Sequence, residues 1–150
     1  MGRSFLLTKL QAVDSSSRKR SFKWLKPAIR HGRPTKYGWI VSHPANFIMG
    51  KGTDIGAFTY IQAQEGVEIG DFAQLGSHCS VYSVSTIDNK KGKVVIGRNA
   101  RIGSHSVIMP GVTIGPDTVV GAMSFVNRNL PANTVAYGCP VRIAKKRKNP

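Results

Sequence analysis

Residues 96–121 read IGRNARIGSHSVIMPGVTIGPDTVVG, and an aliphatic residue returns at every sixth position of this stretch. These aliphatic positions are Ile96, Ile102, Ile108, Ile114 and Val120. Neither the 3.6-residue period of a helix nor the two-residue period of a strand explains a spacing of six. The stretch therefore predicts an internal repeat in which every unit of six residues contributes a short extended segment and a turn.

The same register extends in both directions along the chain, from Met49 to Val126, if the count skips after Ile61 and again after Ile87. The residue two positions before each aliphatic residue is small or β-branched, except at Phe47, so each unit offers two side chains to the same face. Glycine follows most of the aliphatic residues, where the chain must turn a corner that a side chain would crowd. The two skips predict extruded loops at 62–66 and 88–95.

Three such units close a triangular coil, and successive coils stack as parallel strands around a dry interior. One unit is unstable alone, because burial of an aliphatic side chain is worth about 1.5–3 kcal/mol. Ordering six residues costs roughly 6–12 kcal/mol of backbone entropy. A β-sandwich would instead require alternating strands at a spacing of about 8–12 residues, which this chain lacks.

Composition limits the class of protein and of partner. The chain has 150 residues, 41% of them hydrophobic, which is enough for one domain with a real core. Its net charge of +15 favours anionic partners. Two cysteines provide neither a disulfide framework nor a zinc-binding CxxC pair. The apolar run near the N-terminus is too short to span a bilayer, and we expect a cytoplasmic protein.

The C-terminal half carries a family resemblance. The stretch IMPGVTIGPDTVVGAMSFVNRNLPANTVAYGCPVRIAKK resembles the hexapeptide-repeat acyltransferases, and most of all the bacterial sugar acetyltransferases of the galactoside and polysaccharide type, over about 47–147. The resemblance implies an all-β, left-handed parallel β-helix and a homotrimer with acetyl-CoA in the groove between subunits. It implies direct acetyl transfer to a sugar, with a histidine as general base and backbone N–H groups at the oxyanion. We expect a basic segment at 1–48, the β-helix at 49–131 and a C-terminal segment with a basic tail at 132–150.

The catalytic base is where the sequence departs from these relatives. Many of them carry histidines in the stretch that reads VYSVSTID here, with Val84 and Thr86 at the corresponding positions. The candidates that remain on the helix are His78 and His105, each three residues after an inward aliphatic residue and therefore at a corner. The register count places them on different faces of the coil, with His105 beneath Val84. We favour His78 as the base; the alternative is that both histidines only cap carbonyl groups.

The resemblance also implies a coenzyme A site. Small residues allow the pantetheine arm to approach the backbone, and cations suit the pyrophosphate and the 3′-phosphate. The implied CoA-binding residues are Ser104, Ala122, Asn127, Arg128, Arg142 and Lys145.

The acceptor sugar is expected at the two extruded loops, because binding residues concentrate on loops that a rigid scaffold carries. The predicted acceptor-binding residues are Gln64, Glu65, Tyr82, Asp88 and Asn89. Gln64 stands where relatives place a sugar-binding carboxylate, so a different sugar is expected. We expect no metal: the γ-class carbonic anhydrases share the fold but need three zinc-binding histidines, two of them in an HxxxxH pair that is absent here.

The segment 18–36 interleaves cations with aromatic and aliphatic residues, and no acid occurs between Ser15 and Thr53. This pattern predicts contact with an anionic membrane surface, with a plain solubility role as the alternative. No nucleic-acid-binding motif accompanies the charge. Two rival functions stay open: N-acetylation of a nucleotide-linked amino sugar, since an amine needs less help from a base, and a non-catalytic binding or scaffold module.

Overall fold

The computed structural model describes residues 23–148, and apart from one 3-10 helix at Pro44–Asn46 its regular elements are strands. The strands in chain order are β1 (Ile40–Ser42), β2 (Phe47–Met49), β3 (Asp54–Ile55), β4 (Tyr60–Gln62), β5 (Val67–Ile69), β6 (Gln74–Leu75), β7 (Ser80–Tyr82), β8 (Val84–Ser85), β9 (Lys90–Lys91), β10 (Val94–Ile96), β11 (Arg101–Ile102), β12 (Val107–Ile108), β13 (Thr113–Ile114), β14 (Val119–Val120), β15 (Phe125–Val126), β16 (Thr134–Tyr137) and β17 (Arg142–Lys146).

Three sheets form the sides of a triangular coil. The β1 sheet has the order β1-β4-β7-β12-β15, the β2 sheet has β13-β10-β5-β2, and the β3 sheet has β17-β16-β14-β11-β6-β3. All neighbours in these sheets run parallel except β16 and β17. The chain visits the three sheets in turn through about five coils, so the predicted parallel β-helix is confirmed.

The inward side chains are those of the six-residue repeat. The aliphatic positions from Ile55 onward are at most 5% exposed, with one exception, and they form the single core of the helix. The exception is Ile87, which is 97% exposed. Ser85, two positions before it, is only half-buried. The prediction of an inward unit at Ser85–Ile87 was therefore wrong, because these residues lie in a segment extruded from the coil.

The extruded segment is a hairpin that spans 83–93 rather than 88–95. Strands β8 and β9 pair antiparallel in it, and the backbone N–H of Gly92 donates to the carbonyl of Ser83 at 2.9 Å and closes its neck. Val94 and Val95 belong to β10 and pair with β5, so they are not loop residues as predicted. Of the other predicted loop, 62–66, residues 63–66 form a tight turn after β4, whereas Gln62 is part of that strand.

Small polar residues also point into the coil, where their hydroxyl groups bond to corner carbonyls. Thr59 donates to Gly76 at 3.0 Å, and Ser106 donates to Gly121 at 3.2 Å. Among residues 23–148, no buried side-chain nitrogen or oxygen lacks a hydrogen-bond partner. Burial of these polar groups therefore avoids the cost of an unmade hydrogen bond.

The segment before the first coil covers one end of the helix. The indole N–H of Trp24 donates to the carbonyl of Thr53 at 2.9 Å, while Trp39 is 1% exposed. The cations of this segment from Lys23 onward are exposed, and the part of the predicted membrane-contacting segment at 18–22 lies outside the described residues. In the described part of the chain, no helix has the length and apolarity that a bilayer crossing requires.

Candidate active site

One corner of the coil, where the β3 sheet passes into the β1 sheet, carries a column of four side chains from successive coils: Phe58, His78, His105 and Met123. We call it the histidine corner. Each of these residues has a positive φ between 58° and 63°. The backbone N–H of each histidine donates to a carbonyl of the preceding coil, that of Ala57 or Ser77. The side chains therefore point outward in a line along the helix axis.

The two histidines lie on the same corner and not on different faces. Their rings stack with centroids 4.7 Å apart and planes inclined by 6°, and the ring of Phe58 lies 4.9 Å from that of His78 on the other side. The predicted register failed because it counted Ile87 as a unit of the coil. His105 is consequently beneath His78 and not beneath Val84, which lies in the hairpin.

Neither imidazole of the histidine corner makes a hydrogen bond to another described residue. The alternative role, in which the two rings cap carbonyl groups, is therefore not observed among these residues. Both side chains are exposed. Each ring thus keeps a nitrogen that can accept a proton from a bound substrate.

Two of the residues predicted to bind CoA adjoin this corner. Ser104 and Ala122 precede His105 and Met123, and both come close to corner glycines of the neighbouring coil. A Cβ on Gly76 would lie 2.5 Å from the Ser104 hydroxyl oxygen, and a Cβ on Gly103 would lie 2.3 Å from the Ala122 nitrogen. No described residue accepts a hydrogen bond from the backbone N–H of Ser104 or of Ala122. The corner therefore holds imidazole bases and free N–H donors side by side.

A groove of about 350 Å³ runs over the outer surface of the β3 sheet next to Ser104. Its lining includes Gln74 and Arg101, which are paired across the sheet. Sequence reasoning missed Arg101. The signal was available, because a residue directly before an inward aliphatic residue must point outward.

The same surface carries the C-terminal cations. Lys145 pairs with Val135 and Arg142 with Tyr137, while the intervening Ala144 has no partner on β16. Two strand residues at an odd separation normally lie on opposite faces, but this β-bulge puts both cations on the same face. Since Val135 and Tyr137 alternate with buried residues of β16, both cations project from the outer surface of the β3 sheet.

Asn127 and Arg128 are not brought to this groove within one chain. They follow β15, at the corner where the β1 sheet passes into the β2 sheet, and both are exposed. The extruded loops lie at this same corner, which we call the loop corner. The width of the β1 sheet therefore separates the two parts of the predicted CoA site.

The predicted acceptor residues are gathered at the loop corner. The Glu65 backbone N–H donates to the Ser83 hydroxyl at 3.0 Å, so the two loops contact each other. The ring of Tyr82 lies 6.1 Å from that of Tyr60 on the outer face of the β1 sheet. Asp88 and Asn89 occupy the tip of the hairpin, and hydrogen bonding to Ser85 and then Lys90 lowers the pKa of Asp88. Gln64 accepts a side-chain hydrogen bond from Gln62 at 3.3 Å.

The cysteines supply no evident nucleophile. Cys79 is fully buried in the core, where its thiol donates to the Gly103 carbonyl at 3.3 Å, and burial raises the pKa of that thiol. Cys139 is exposed in the turn before β17. Within residues 23–148, no three His, Cys, Asp or Glu side chains converge as a metal site would need.

Comparison with known proteins relates the chain to a family of transferases. Residues 93–128 match the family model described as bacterial transferase hexapeptide (six repeats). The galactoside O-acetyltransferase of Escherichia coli (strain K12) is 51% identical over 53 residues, which cover 35% of this chain and 26% of that protein.

Two solved structures share the fold at greater length. A hexapeptide-repeat acetyltransferase from Vibrio cholerae O1 biovar eltor, complexed with acetyl coenzyme A, has a TM-score of 0.70 at 28% identity and covers 74% of this chain and 66% of its own. A variant of AntD, an N-acyltransferase from Bacillus cereus in complex with dTDP and coenzyme A, has a TM-score of 0.60 at 30% identity. This match covers 74% of this chain and 72% of the AntD chain.

The chain belongs to the hexapeptide-repeat acetyltransferase family. It spans only part of the length of its curated relatives, from 26% of the galactoside enzyme to 65% of WcaF, a putative colanic acid biosynthesis acetyltransferase of Escherichia coli (strain K12).

Proposed function

We propose that the protein transfers an acetyl group from acetyl-CoA to a sugar hydroxyl during the synthesis of a bacterial surface polysaccharide or glycan. The observation that carries this proposal is the stack of His78 on His105 next to Ser104 and Ala122. An alcohol is a weak nucleophile near neutral pH and needs a base within hydrogen-bond reach. The histidine corner offers two such bases beside small residues that leave room for a thioester.

The reaction proceeds by direct attack. The acceptor oxygen bonds to the thioester carbonyl carbon while its proton passes to an imidazole nitrogen of the histidine corner. The free N–H of Ser104 is suited to stabilise the oxyanion of the tetrahedral intermediate. The carbon–sulfur bond then breaks, and the CoA thiolate leaves and takes up the proton. No covalent enzyme intermediate is needed, in keeping with the buried position of Cys79.

The groove on the β3 sheet is the proposed place of CoA. Arg101, Arg142 and Lys145 all project from that surface and carry charge opposite to that of the pyrophosphate and 3′-phosphate. Asn127 and Arg128 join the same CoA molecule from a neighbouring subunit in a cyclic trimer. This arrangement accounts for their position at the loop corner, away from the groove of their own chain.

The second candidate function is N-acylation of a nucleotide-linked amino sugar. It is favoured by the replacement of the relatives' histidines with Val84 and Thr86, and by the similarity to AntD at 30% identity. A neutral amine attacks a thioester without losing its proton first, so this reaction depends less on the histidine corner.

The test is acetyl transfer from radiolabelled acetyl-CoA to sugars, nucleotide-linked amino sugars and glycan fragments, with release of free CoA thiol as a second readout. Label that mild alkali or hydroxylamine removes from the product is an ester and supports O-acetylation. Label that resists both treatments is an amide and supports the second candidate. Binding of CoA without transfer to any acceptor would favour a non-catalytic module.

A further inference from the structure

A second concave surface lies at the first coil, outside the residues assigned to CoA and to the extruded loops. It is a cleft of about 670 Å³ between the segment before the helix and the corner glycines of the first coil. We propose that this cleft binds a pyranose ring of the acceptor, and that Asp54 holds one of its hydroxyl groups. The proposal rests on the proposed function and assigns the acceptor to residues that the sequence did not indicate.

Aromatic rings form the walls of the cleft. Tyr37 and Phe72 are 48% and 50% exposed, although each packs against the protein on one side. Phe72 covers Gly52, where a Cβ would lie 2.5 Å from its ring, and Lys36 Nζ lies 4.9 Å from the Tyr37 ring centroid. Trp24 is held in place by its hydrogen bond to the Thr53 carbonyl. Each ring thus has a contact within the protein that restricts its motion before a ligand binds, which lowers the entropic cost of binding.

The cleft has a buried apolar floor and one charged group. Trp39 and Ile55 lie beneath it and are at most 5% exposed. Asp54 lines the cleft, and its carboxylate forms no ion pair and accepts no hydrogen bond from any described residue. Small-molecule sites typically occupy about 300–1,000 Å³ and combine apolar and aromatic walls with a few fixed polar groups. The cleft has this composition.

A pyranose ring fits these groups better than other ligands do. One of its faces presents C–H groups that pack on aromatic rings, while its hydroxyl groups donate hydrogen bonds to a carboxylate. A phosphate or a fatty acid carboxylate would be repelled by Asp54. An aliphatic chain would leave that carboxylate without a hydrogen-bond partner.

The cleft is close to the histidine corner of the same chain. Gly56 and Ala57 line it, and the carbonyl of Ala57 accepts the hydrogen bond from the His78 backbone N–H. Asp54 also lines the groove that Ser104 borders, so it stands where the two concave surfaces meet. A sugar held by Asp54 is therefore placed between the aromatic rings and the proposed thioester position, whereas the loop corner lies across the β1 sheet.

Tryptophan fluorescence tests this inference, because the two tryptophans of the chain, Trp24 and Trp39, both line the cleft. The probes are the methyl pyranosides of glucose, galactose, mannose, glucosamine and N-acetylglucosamine, with 1-octanol as an aliphatic probe. We expect a saturable change in emission with at least one pyranoside. No saturable change with any pyranoside up to the solubility limit, or a response to 1-octanol alone, would overturn the proposal.

Variants locate the site and separate it from catalysis. Asp54→Asn keeps the shape of the cleft and should weaken pyranoside binding by roughly tenfold or more. Phe72→Asn, which removes the ring at a position with a positive φ of 59°, should weaken it by about three- to tenfold. Ile48→Ala, on the outer face of the β2 sheet and 58% exposed, is the control and should bind as the wild type does. Equal affinity of all three variants would overturn the proposal.

Turnover distinguishes the failure of this inference from the failure of the proposed function. With an accepted acceptor, Asp54→Asn and Phe72→Asn should both raise the acceptor KM. Phe72 does not line the proposed CoA groove, so Phe72→Asn should leave the acetyl-CoA KM unchanged. Transfer with an unchanged acceptor KM in both variants would refute the cleft but keep the enzyme. Saturable binding that both variants weaken, without transfer to any acceptor, would support the cleft as a carbohydrate site while the proposed function fails.

Discussion

The imidazoles of His78 and His105 stack in parallel, with centroids 4.7 Å apart, although the two residues are 27 positions apart in the chain. The coil at this level is also 27 residues long, because Leu75 pairs with Ile102, which is 27 positions later in the chain. One turn of the coil therefore brings His105 next to His78. The two histidines consequently lie side by side at one corner of one subunit. A reaction that used both histidines would not need a subunit interface to bring them together.

The first prediction concerns these two histidines. His78→Asn and His105→Asn should each lower kcat, the one that is the base by roughly 10²–10⁴. Asparagine is the suitable replacement, because both positions have a positive φ that alanine would adopt only with strain. The double variant should be little slower than the slower single variant, since stacked groups at one site do not act independently.

His43→Asn is the matched control for these variants. His43 also has a positive φ, of 58°, but it lies before β2 and outside the histidine corner. Steady-state kinetics with saturating acetyl-CoA are the measurement. Full activity of the double variant would remove the base from the mechanism and favour an amine acceptor.

The second prediction concerns the cations on β17. Arg142→Ala and Lys145→Ala should each weaken CoA more than dephospho-CoA, because their proposed partners include the 3′-phosphate. A charge-assisted hydrogen bond is worth about 1.5–3 kcal/mol, or roughly ten- to 150-fold in affinity. Lys146→Ala is the control, since Lys146 pairs with buried Thr134 and points away from the outer surface. Isothermal titration with both ligands measures the difference, and equal losses for the two ligands would contradict the assignment.

The third prediction concerns assembly. Two strongly impaired variants, His78→Asn/His105→Asn and Asn127→Ala/Arg128→Ala, should restore activity when they are coexpressed in one trimer. About one site in four then combines an intact histidine corner with an intact loop corner from its neighbour. Each variant expressed alone is the control. A strictly monomeric mass with full activity, or no recovery in verified mixed assemblies, would refute a shared site.

The fourth prediction concerns the buried thiol. Burial raises the pKa of Cys79 above its ordinary value of 9.0, so the folded state retains a proton that the unfolded chain releases. The resulting stabilisation is present below the unfolded pKa and is lost as pH rises through the folded pKa. The free energy of unfolding, measured with urea on either side of pH 9.0, should therefore fall more steeply with rising pH for the wild type than for Cys79→Ala. Cys139→Ala, which removes an exposed thiol, should behave as the wild type does.

The repeat made most of the fold predictable, because its two inward side chains per unit are fixed by the pleat of a strand. Thr59, Ala73 and Ser106 were recognised as inward residues in this way, and all are at most 1% exposed. Ile87 misled the count because a sequence period carries no information on whether a given aliphatic residue is buried. Its side chain is exposed at the hairpin, where β8 and β9 pair with each other and with no strand of the coil.

The wrong assignment of Ile87 to the coil also explains why the stacking of the two histidines was not predicted. Counting Ile87 moved His105 by one face and hid its contact with His78. The position of Arg101 and Lys145 on one surface of the β3 sheet was not predicted, for a different reason. It depends on the bulge at Ala144, a backbone irregularity that the hydrophobic pattern of the sequence does not show. The aromatic cleft escaped because Trp24 and Tyr37 precede the repeat and reach Phe72 only through the folded chain.

The closed neck between Ser83 and Gly92 has an evolutionary consequence. The coil that contains it advances 27 residues where the next advances 18, yet both keep their strands in register. Insertions and deletions beyond the neck can therefore accumulate without disturbing the core. A lineage can exchange this hairpin for another, and so change the surface at the loop corner, while the inherited scaffold stays intact.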